Sequence, residues 1–310
     1  MKRIIYPNCQ NSFKKWLYSN KNYLELYNSI NPRIFDVTLR DGLQSIKEDE
    51  YNKYSTDIKL QIYNDIINKY NPNYIEIGSL VSKKILPIMS DSLEIYNKTW
   101  KPNTNNFLLI PSESKLSDAL KNNCVNISLI SSVSESFQLV NTKKTLHQTK
   151  SEILGMMYEL YSCPKITNPK VKLYLSCIDS CPISGQIPLD FIANEIKYYN
   201  EICKPDTICL SDTCGNLSID NFTILIDMIN KLGVPVSKLS LHLHIDKNNI
   251  DNVQKIFATA LDRNILEFDI SMLDTGGCSV TMGSKTKPNL TYNLYYKFLC
   301  DYIMDKIKEN

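Results

Sequence analysis

The regular alternation of short apolar runs with longer helical stretches limits the fold of this 310-residue chain more than any other feature. A short apolar run bounded by turn residues is typical of a buried strand, whereas apolar residues three or four apart are typical of a helix. Repeated alternation of the two predicts parallel strands joined by helices. Eight strands are predicted, at residues 33–39, 74–78, 107–110, 125–130, 171–176, 207–210, 239–245 and 266–270.

Helical periodicity follows these strands at residues 55–70, 84–96, 113–121, 145–161, 188–201, 219–232, 249–261 and 290–307. Eight strand–helix units without a Pro- or Ser-rich linker predict an α/β fold, a TIM (β/α)8 barrel with an N-terminal extension. Residues 1–32 are predicted as that extension, with a helix at 12–27, and residues 33–310 as the barrel domain. A doubly wound open sheet is less favoured, because no Gly-rich turn follows strand one.

The composition argues against nucleic acid and membranes as partners. A formal net charge of +2 gives no field that would attract nucleic acid or an acidic membrane. No apolar run of about eighteen residues predicts a membrane span, and the N-terminus lacks a secretory signal. The ten cysteines contain no Cys-x-x-Cys pair, as is typical of reduced thiols. We therefore expect a cytoplasmic protein, with the mitochondrial matrix left open by the basic N-terminus.

Two of the three histidines, His242 and His244, lie two residues apart in predicted strand seven. Residues i and i+2 of a strand point to the same side, so both imidazoles face one space. The pair suits two ligands of one metal ion, and equally a hydrogen-bonded structural pair. Barrel closure makes strands seven, eight and one neighbours, so Asp41 can join them. Oxygen and nitrogen ligands favour Mg²⁺ or Mn²⁺, with zinc and iron left open.

Further polar residues fall at the carboxyl ends of predicted strands, where barrel active sites form. Arg40 ends strand one, Glu76 lies in strand two and Asp212 ends strand six. Residues 271–289 form a loop of about twenty residues, a length typical of lids and binding loops. Structural interpretations also exist: ion pairs for Arg40 and Glu76, a helix N-cap for Asp212 and a buried thiol for Cys278. Convergence on one rim favours a functional site.

Several motifs occur in one order along the chain: Asp36-Val-Thr-Leu-Arg-Asp-Gly-Leu-Gln44, Tyr74-Ile-Glu-Ile-Gly78, Leu210-Ser-Asp-Thr-Cys-Gly215, His242-Leu-His244 and Ser271-x4-Gly-Gly-Cys278. Together they resemble the hydroxymethylglutaryl-CoA lyase family of metal-dependent lyases. That superfamily also includes isopropylmalate synthases and the pyruvate carboxyltransferase domains. The resemblance extends from about Arg33 to Asn289, and the Arg-Asp-Gly-Leu-Gln run with the Gly-Gly-Cys loop resembles the lyase branch.

The resemblance implies a divalent metal, Mg²⁺ or Mn²⁺, bound by Asp41, His242, His244 and Asn289. It implies that Arg40 balances the charge of an enolate, that Arg40 and Gln44 contact substrate, and that Cys278 exchanges a proton with the enolate. Glu76 and Asp212 are implied to orient these groups. The implied reaction is retro-Claisen cleavage of an acyl-CoA substrate, a 3-hydroxyacyl-CoA, to acetyl-CoA and acetoacetate. A homodimer is implied as the assembly.

The chain departs from the family pattern in four places. Ile245 follows the histidine pair where the family has Asp or Asn, and Ser279-Val-Thr follows Gly-Gly-Cys in place of Pro-Tyr-Ala. The family's Asn ligand stands nine residues after the cysteine. That position is Lys287 here, so Asn289 matches with a two-residue insertion, and Tyr292 stands about where the family has Glu. Two alternatives therefore stay open: a carboligase joining acyl-CoA to a 2-oxo acid, and a catalytically degenerate metabolite-binding barrel.

Overall fold

The N-terminal segment forms two helices in the computed structural model, which describes residues 6–101, 104–277 and 286–309. Helices α1 (Gln10–Tyr18) and α2 (Lys21–Ile30) replace the single helix predicted at 12–27. The break is stabilised by Asn20, whose side chain accepts from the backbone N–H of Asn22 and caps α2. The ring of Phe13 packs 5.4 Å from Tyr27 and 5.0 Å from Tyr296 near the C-terminus. The domain division at residue 32 stays a prediction.

Eight parallel strands close into a barrel, which confirms the predicted TIM fold. A short antiparallel pair, β6 and β7, lies outside the barrel in the connection after β5. Barrel strand β1 pairs with β10 and β10 pairs with β9, so the neighbours expected from closure are present. The strands are β1 (Arg33–Asp36), β2 (Tyr74–Ser79), β3 (Asn106–Leu109), β4 (Asn126–Ser132), β5 (Val171–Ser176), β6 (Ser180–Cys181), β7 (Gly185–Gln186), β8 (Thr207–Asp212), β9 (Leu239–Leu243) and β10 (Glu267–Ile270).

The helices surround the barrel and bury their apolar faces against it. They are α3 (Thr56–Lys69), α4 (Ser92–Thr99), α5 (Glu113–Lys121), α6 (Glu135–Thr142), α7 (Leu146–Ser162), α8 (Leu189–Tyr198), α9 (Ile219–Lys231), α10 (Ile250–Asp262) and α11 (Tyr292–Glu309). Ser55 caps α3, whereas the helix predicted at 84–96 begins later, at Ser92, after a 3₁₀ turn at Pro87–Met89. Helix α6, capped by Ser134, was not predicted. Within the described ranges, none of the helices has the length and hydropathy needed to cross a membrane.

The interior of the barrel contains a buried ionic cluster below its carboxyl-end mouth. Lys172 of β5 lies 2.5 Å from Asp269 Oδ1 and 3.1 Å from Glu267 Oε1, both on β10. Its ammonium also lies 3.6 Å from the ring centroid of Phe35, in cation–π geometry. A buried charge is tolerated only when it is paired, and here two carboxylates face one ammonium. The cluster supports Asp269, which reaches the site described next.

Candidate active site and metal centre

Arg40 and Asp41 lie in a π-helical turn, Thr38–Gly42, and not at the end of a strand as predicted, because β1 ends at Asp36. The Asp36 carboxylate accepts from the backbone N–H of Thr38 at 2.9 Å and from its hydroxyl at 3.0 Å. These bonds end the strand and start the turn. Single π turns are frequent at functional sites. The turn places the buried side chains of Arg40 and Asp41 in the pocket at the barrel mouth.

Three side chains meet at this mouth, as predicted from barrel closure. Asp41 Oδ2 lies 3.7 Å from His242 Nε2 and 3.9 Å from His244 Nε2. One ligand atom from each buried residue lies within 4.8 Å of the other two. A divalent ion with ligands at about 2.1 Å separates adjacent ligand atoms by about 3 Å and opposite ones by about 4 Å. The three residues therefore form a group that could hold one metal ion.

The second nitrogen of each imidazole faces a hydrogen-bond acceptor. His242 Nδ1 lies 3.0 Å from Asp269 Oδ2, and His244 Nδ1 lies 2.9 Å from the backbone oxygen of Asp212. Because a carbonyl oxygen can only accept, His244 Nδ1 must donate, and the lone pair of neutral His244 is on Nε2. Metal-binding histidines are usually held in this way by an acceptor on the far nitrogen. The geometry favours the metal interpretation over the structural pair.

Asn289 lies beside His244, to which it is joined by a backbone bridge. Asn289 Oδ1 and His244 Nε2 are both buried and have no hydrogen-bond partner within the described part of the chain. Buried polar atoms are seldom left unpaired, and a cation would satisfy both acceptors. Gly276 leaves room for the Asn289 side chain, because a Cβ there would lie 2.2 Å from Asn289 Nδ2. The carboxylate and the two imidazoles form the group that could hold an ion, and an amide oxygen is a donor of the type that a divalent ion accepts.

Arg40 provides a fixed positive charge beside this group. Its Nε lies 2.5 Å from Glu76 Oε2 and its Nη1 lies 2.5 Å from Asp41 Oδ1. Tyr174 donates its hydroxyl to Glu76 at 3.2 Å, and its ring lies 5.0 Å from the guanidinium carbon. Burial acts to lower the pKa of Arg40, but Glu76 and Asp41 hold that pKa well above its usual value. Burial acts to raise the pKa of Asp41, but Arg40 and the histidines keep it well below the usual value.

Asp212 reaches the site through its backbone. Its carboxylate accepts from the backbone N–H groups of Asn216 at 3.0 Å and Leu217 at 3.1 Å, so it closes the turn after β8. The alternative that Asp212 caps a helix is wrong, because Ser218 caps α9. Burial raises the pKa of Asp212, and the two N–H bonds act in the opposite direction. The carbonyl of Asp212 orients His244.

A pocket opens at the mouth of the barrel and contains most of the predicted site residues. Gln44 lines it together with Arg40, Asp41 and both histidines. The side formed by β1 and β9 is polar. The side formed by β2 to β4 and the segments after them carries an apolar wall of Val81, Ile85, Leu86, Leu109, Pro111, Ile130 and Phe137. Cys278 lies outside the described residues, so its role stays a prediction.

Asp269 was missed by reasoning from the sequence, although it contacts His242 directly. A signal was present, because Glu267 and Asp269 are two residues apart in a strand predicted to be buried. Two acids on one face of a buried strand must either line a polar interior or pair with a cation. Lys172 and Tyr174 show the same spacing in β5, and both side chains face that interior.

The fold and the site define a TIM barrel with a candidate divalent-metal centre at the carboxyl ends of its strands. A family model described as HMGL-like matches residues 31–249, and the chain belongs to that family, as predicted. It is 28% identical over 259 residues to mitochondrial hydroxymethylglutaryl-CoA lyase of Bos taurus, covering 81% of this chain and 74% of that protein.

Two solved structures show the same fold. The hydroxymethylglutaryl-CoA lyase of Pseudomonas aeruginosa matches with a TM-score of 0.74 and 22% identity, over 90% of this chain and 93% of that chain. An HMG-CoA lyase of Acinetobacter baumannii, solved in complex with coenzyme A and 3-methylmalate, matches with a TM-score of 0.73 and 20% identity. That match covers 88% of this chain and 88% of the other. The lyase class of the chain follows from the family, and the particular reaction is a separate question.

Proposed function

We propose that this protein is a divalent-metal-dependent carbon–carbon lyase that cleaves a 3-hydroxyacyl-CoA by a retro-Claisen reaction. With 3-hydroxy-3-methylglutaryl-CoA the products are acetyl-CoA and acetoacetate. The main support for this proposal is the buried group of Asp41, His242 and His244. Their ligand atoms lie within 4.8 Å of one another, beside the buried side chain of Arg40. The donor set favours Mg²⁺ or Mn²⁺. Coenzyme A in a structurally similar HMG-CoA lyase supports a CoA thioester as substrate.

The proposed metal ligands are Asp41, His242, His244 and Asn289. When bound, the ion supplies Lewis-acid chemistry that lowers the pKa of the substrate's tertiary hydroxyl. Arg40 balances the negative charge that develops on the thioester oxygen as the carbon–carbon bond breaks. Its ion pair with Glu76 holds the guanidinium in place before substrate arrives, so no reorganisation is needed during the reaction.

The remaining residues position the substrate and return a proton. Gln44 lines the polar side of the pocket next to Arg40, where it contacts the substrate in this proposal. A base takes the proton of the tertiary hydroxyl as the carbon–carbon bond breaks, and Cys278 gives a proton to the enolate carbon, which completes acetyl-CoA. The proton held by the base then returns to the Cys278 thiolate. Asp212 keeps His244 in its ligating tautomer through the backbone carbonyl. The apolar wall excludes water from the enolate, which would otherwise be protonated by solvent.

Acetoacetate release from 3-hydroxy-3-methylglutaryl-CoA, with Mg²⁺ or Mn²⁺ present, tests the proposal. Turnover is expected, with loss in His242→Ala and a fall in kcat of about a hundredfold in Arg40→Gln. Arg263→Gln is the matched control, because Arg263 forms a partly exposed ion pair with Asp227.

Absence of turnover with every divalent ion, across a panel of acyl-CoA substrates, would overturn the lyase proposal. Thiol release from acetyl-CoA only when a 2-oxo acid is present would instead select the carboligase. Tight metal binding without any turnover would select the degenerate metabolite-binding barrel. Loss of activity in Cys278→Ala, with metal affinity unchanged, is expected from its proton-transfer role.

A further inference from the structure

The segment that carries Asn289 runs along the end of β9. The backbone N–H of Ile245 donates to the oxygen of Pro288 at 2.8 Å, and the N–H of Leu290 donates to the oxygen of Leu243 at 3.1 Å. These two bonds place Asn289 opposite His244. They fix the register of the segment, but both lie on one side of it. On the other side, the backbone N–H of Ser271 donates to the oxygen of Leu290 at 3.0 Å, after Asn289, so the residues before Asn289 need an attachment of their own.

Lys287, two residues before Asn289, supplies such an attachment. Its Nζ lies 2.9 Å from the backbone oxygen of Gly215, 3.4 Å from Asn216 Oδ1 and 3.5 Å from Asp246 Oδ2. An ammonium has three N–H donors, so three acceptors use all of them. Gly215 and Asn216 belong to the turn closed by Asp212, whereas Asp246 follows β9. One side chain therefore ties three segments together.

The residues around Lys287 are themselves joined by hydrogen bonds and leave space for its side chain. Asn249 Nδ2 donates to the oxygen of Gly215 at 2.9 Å and to the oxygen of His244 at 3.0 Å, which links the same two segments. Gly215 has a φ of +63°, and a Cβ there would lie 2.6 Å from Lys287 Cδ. A side chain at position 215 would displace the lysine. Lys287 and Asp246 are only about one quarter exposed, so solvent screens their attraction less than at an open surface.

The amide of Asn289 is oriented as well as placed. Its Nδ2 donates to the backbone oxygen of Thr275 at 3.2 Å, and its backbone N–H donates to the same oxygen at 3.2 Å. With Nδ2 engaged there, Oδ1 is the amide atom left without a partner among the described residues, and it is buried. Any shift of residues 287–289 would break both bonds. The orientation of Asn289 Oδ1 therefore depends on the contacts that fix residues 287–289.

We infer that Lys287, anchored by Asp246 and the Gly215 carbonyl, is a positioning residue that holds Asn289 Oδ1 beside His244 Nε2 for the metal. This inference rests on the proposed metal site and not on the reaction. It also gives a physical account of two departures from the family pattern. Ile245 is buried at 4% exposure, and the acid one residue later, Asp246, meets the lysine that stands at the family's Asn position.

Manganese affinity of the full-length protein tests the inference, measured from the electron paramagnetic resonance signal of free Mn²⁺. Lys287→Met is expected to weaken Mn²⁺ binding about tenfold, as loss of an outer support of a metal site does. Lys287→Arg keeps the charge and is expected to retain most of the affinity. Lys297→Met is the matched control, because Lys297 is similarly exposed and pairs with Asp301 on α11.

A double-mutant cycle separates positioning from a general effect on folding. In an Asn289→Ala background, Lys287→Met is expected to add less than a twofold loss, because its action passes through Asn289. Unchanged Mn²⁺ affinity in Lys287→Met, or a tenfold loss that persists in the Asn289→Ala background, would overturn the inference while the metal site stands. A wild-type protein that binds no Mn²⁺ would overturn the metal site as well.

Discussion

His242 Nδ1 and Asp269 Oδ2 lie 3.0 Å apart on the neighbouring strands β9 and β10. Asp269 is buried, and its other oxygen lies 2.5 Å from Lys172. Burial acts to raise the pKa of Asp269, but Lys172 and His242 bring that pKa below its usual value. Asp269 is therefore a carboxylate that accepts from His242. Contacts run continuously from a lysine inside the barrel to a proposed metal ligand at its mouth.

Asp269→Asn should weaken metal binding by about ten- to a hundredfold, because the amide lacks the charge that makes His242 a better ligand. A competition titration of Mn²⁺ against a fluorescent chelator measures this. Asp227→Asn, which changes a partly exposed carboxylate paired with Arg263, should bind Mn²⁺ as the wild type does. Equal affinity in folded Asp269→Asn and wild-type protein would contradict the prediction.

Lys172→Met should lower the free energy of unfolding by about 3–5 kcal/mol, because it removes the ammonium that pairs with the buried carboxylates of Asp269 and Glu267. Among the described residues, Glu267 keeps only a partly exposed partner, Arg33, at 3.5 Å. Urea denaturation of metal-free protein gives this difference. Lys98→Met is the comparison, because Lys98 and Glu94 form an exposed pair on α4 whose loss should cost under about 1 kcal/mol. A similar cost for the two variants would show that the interior cluster contributes no more than a surface pair.

Gly276→Ala should weaken metal binding, because the added methyl group would displace the side chain of Asn289. Gly233→Ala separates this effect from backbone strain. Both glycines have positive φ, +148° at Gly276 and +78° at Gly233, but a Cβ at Gly233 meets no atom within 4 Å. Both variants should lose some stability. Only Gly276→Ala should lose Mn²⁺ affinity, and an equal loss in the two would refute the steric explanation.

Asp36 should make stability depend on pH. Burial raises the pKa of Asp36 to about 7, against hydrogen bonds from Tyr292 and Thr38 that lower it. A carboxyl with a raised folded-state pKa contributes stability that is complete below its unfolded pKa and is lost as pH rises through about 7. Between pH 5.5 and 8 this loss should be about 2 kcal/mol.

Urea denaturation of wild-type and Asp36→Asn protein at pH 5.5 and pH 8 isolates this contribution. The variant should show a smaller difference in unfolding free energy between the two pH values, because its side chain does not titrate. Asp65→Asn, which removes an exposed aspartate on α3, should keep the wild-type difference. An unchanged difference in Asp36→Asn would show that another group titrates.

Much of the fold could be predicted from the sequence. Barrel strands are buried on both faces and appear as short apolar runs, whereas the helices are buried on one face and show helical periodicity. The π-helical turn at residues 38–42 was not predictable. Residues 37–39 continue the apolar pattern of β1, so local sequence favours a longer strand. The turn depends on distant contacts, since the hydroxyl of Thr38 accepts from the backbone N–H of Met272 at 2.8 Å. A local sequence pattern cannot predict a hydrogen bond between residues so far apart in sequence.

Part of the candidate site could be predicted from two rules: side chains alternate between the two faces of a strand, and barrel closure makes the last and first strands neighbours. The i, i+2 spacing of His242 and His244 and the adjacency of Asp41 needed only those two rules. The support beneath them was not predicted, because the spacing of Glu267 and Asp269 indicates a polar interior but not which cation or histidine each acid meets there. That pairing depends on the register of closure. The roles of Arg40, Glu76 and Gln44 came from the family resemblance and stay proposals.

The pairing of β1 with β10 closes the barrel, and it joins parts of the chain that are synthesised at different times. Ribosomes make β1 first among the barrel strands, yet Asp41 meets His242 only after about two hundred further residues have been added. Asn289 emerges later still. A nascent chain therefore cannot assemble the ligand group during most of its synthesis. A metal ion bound at the proposed site would favour the closed barrel by mass action, and so would stabilise contacts that require the C-terminal part of the chain.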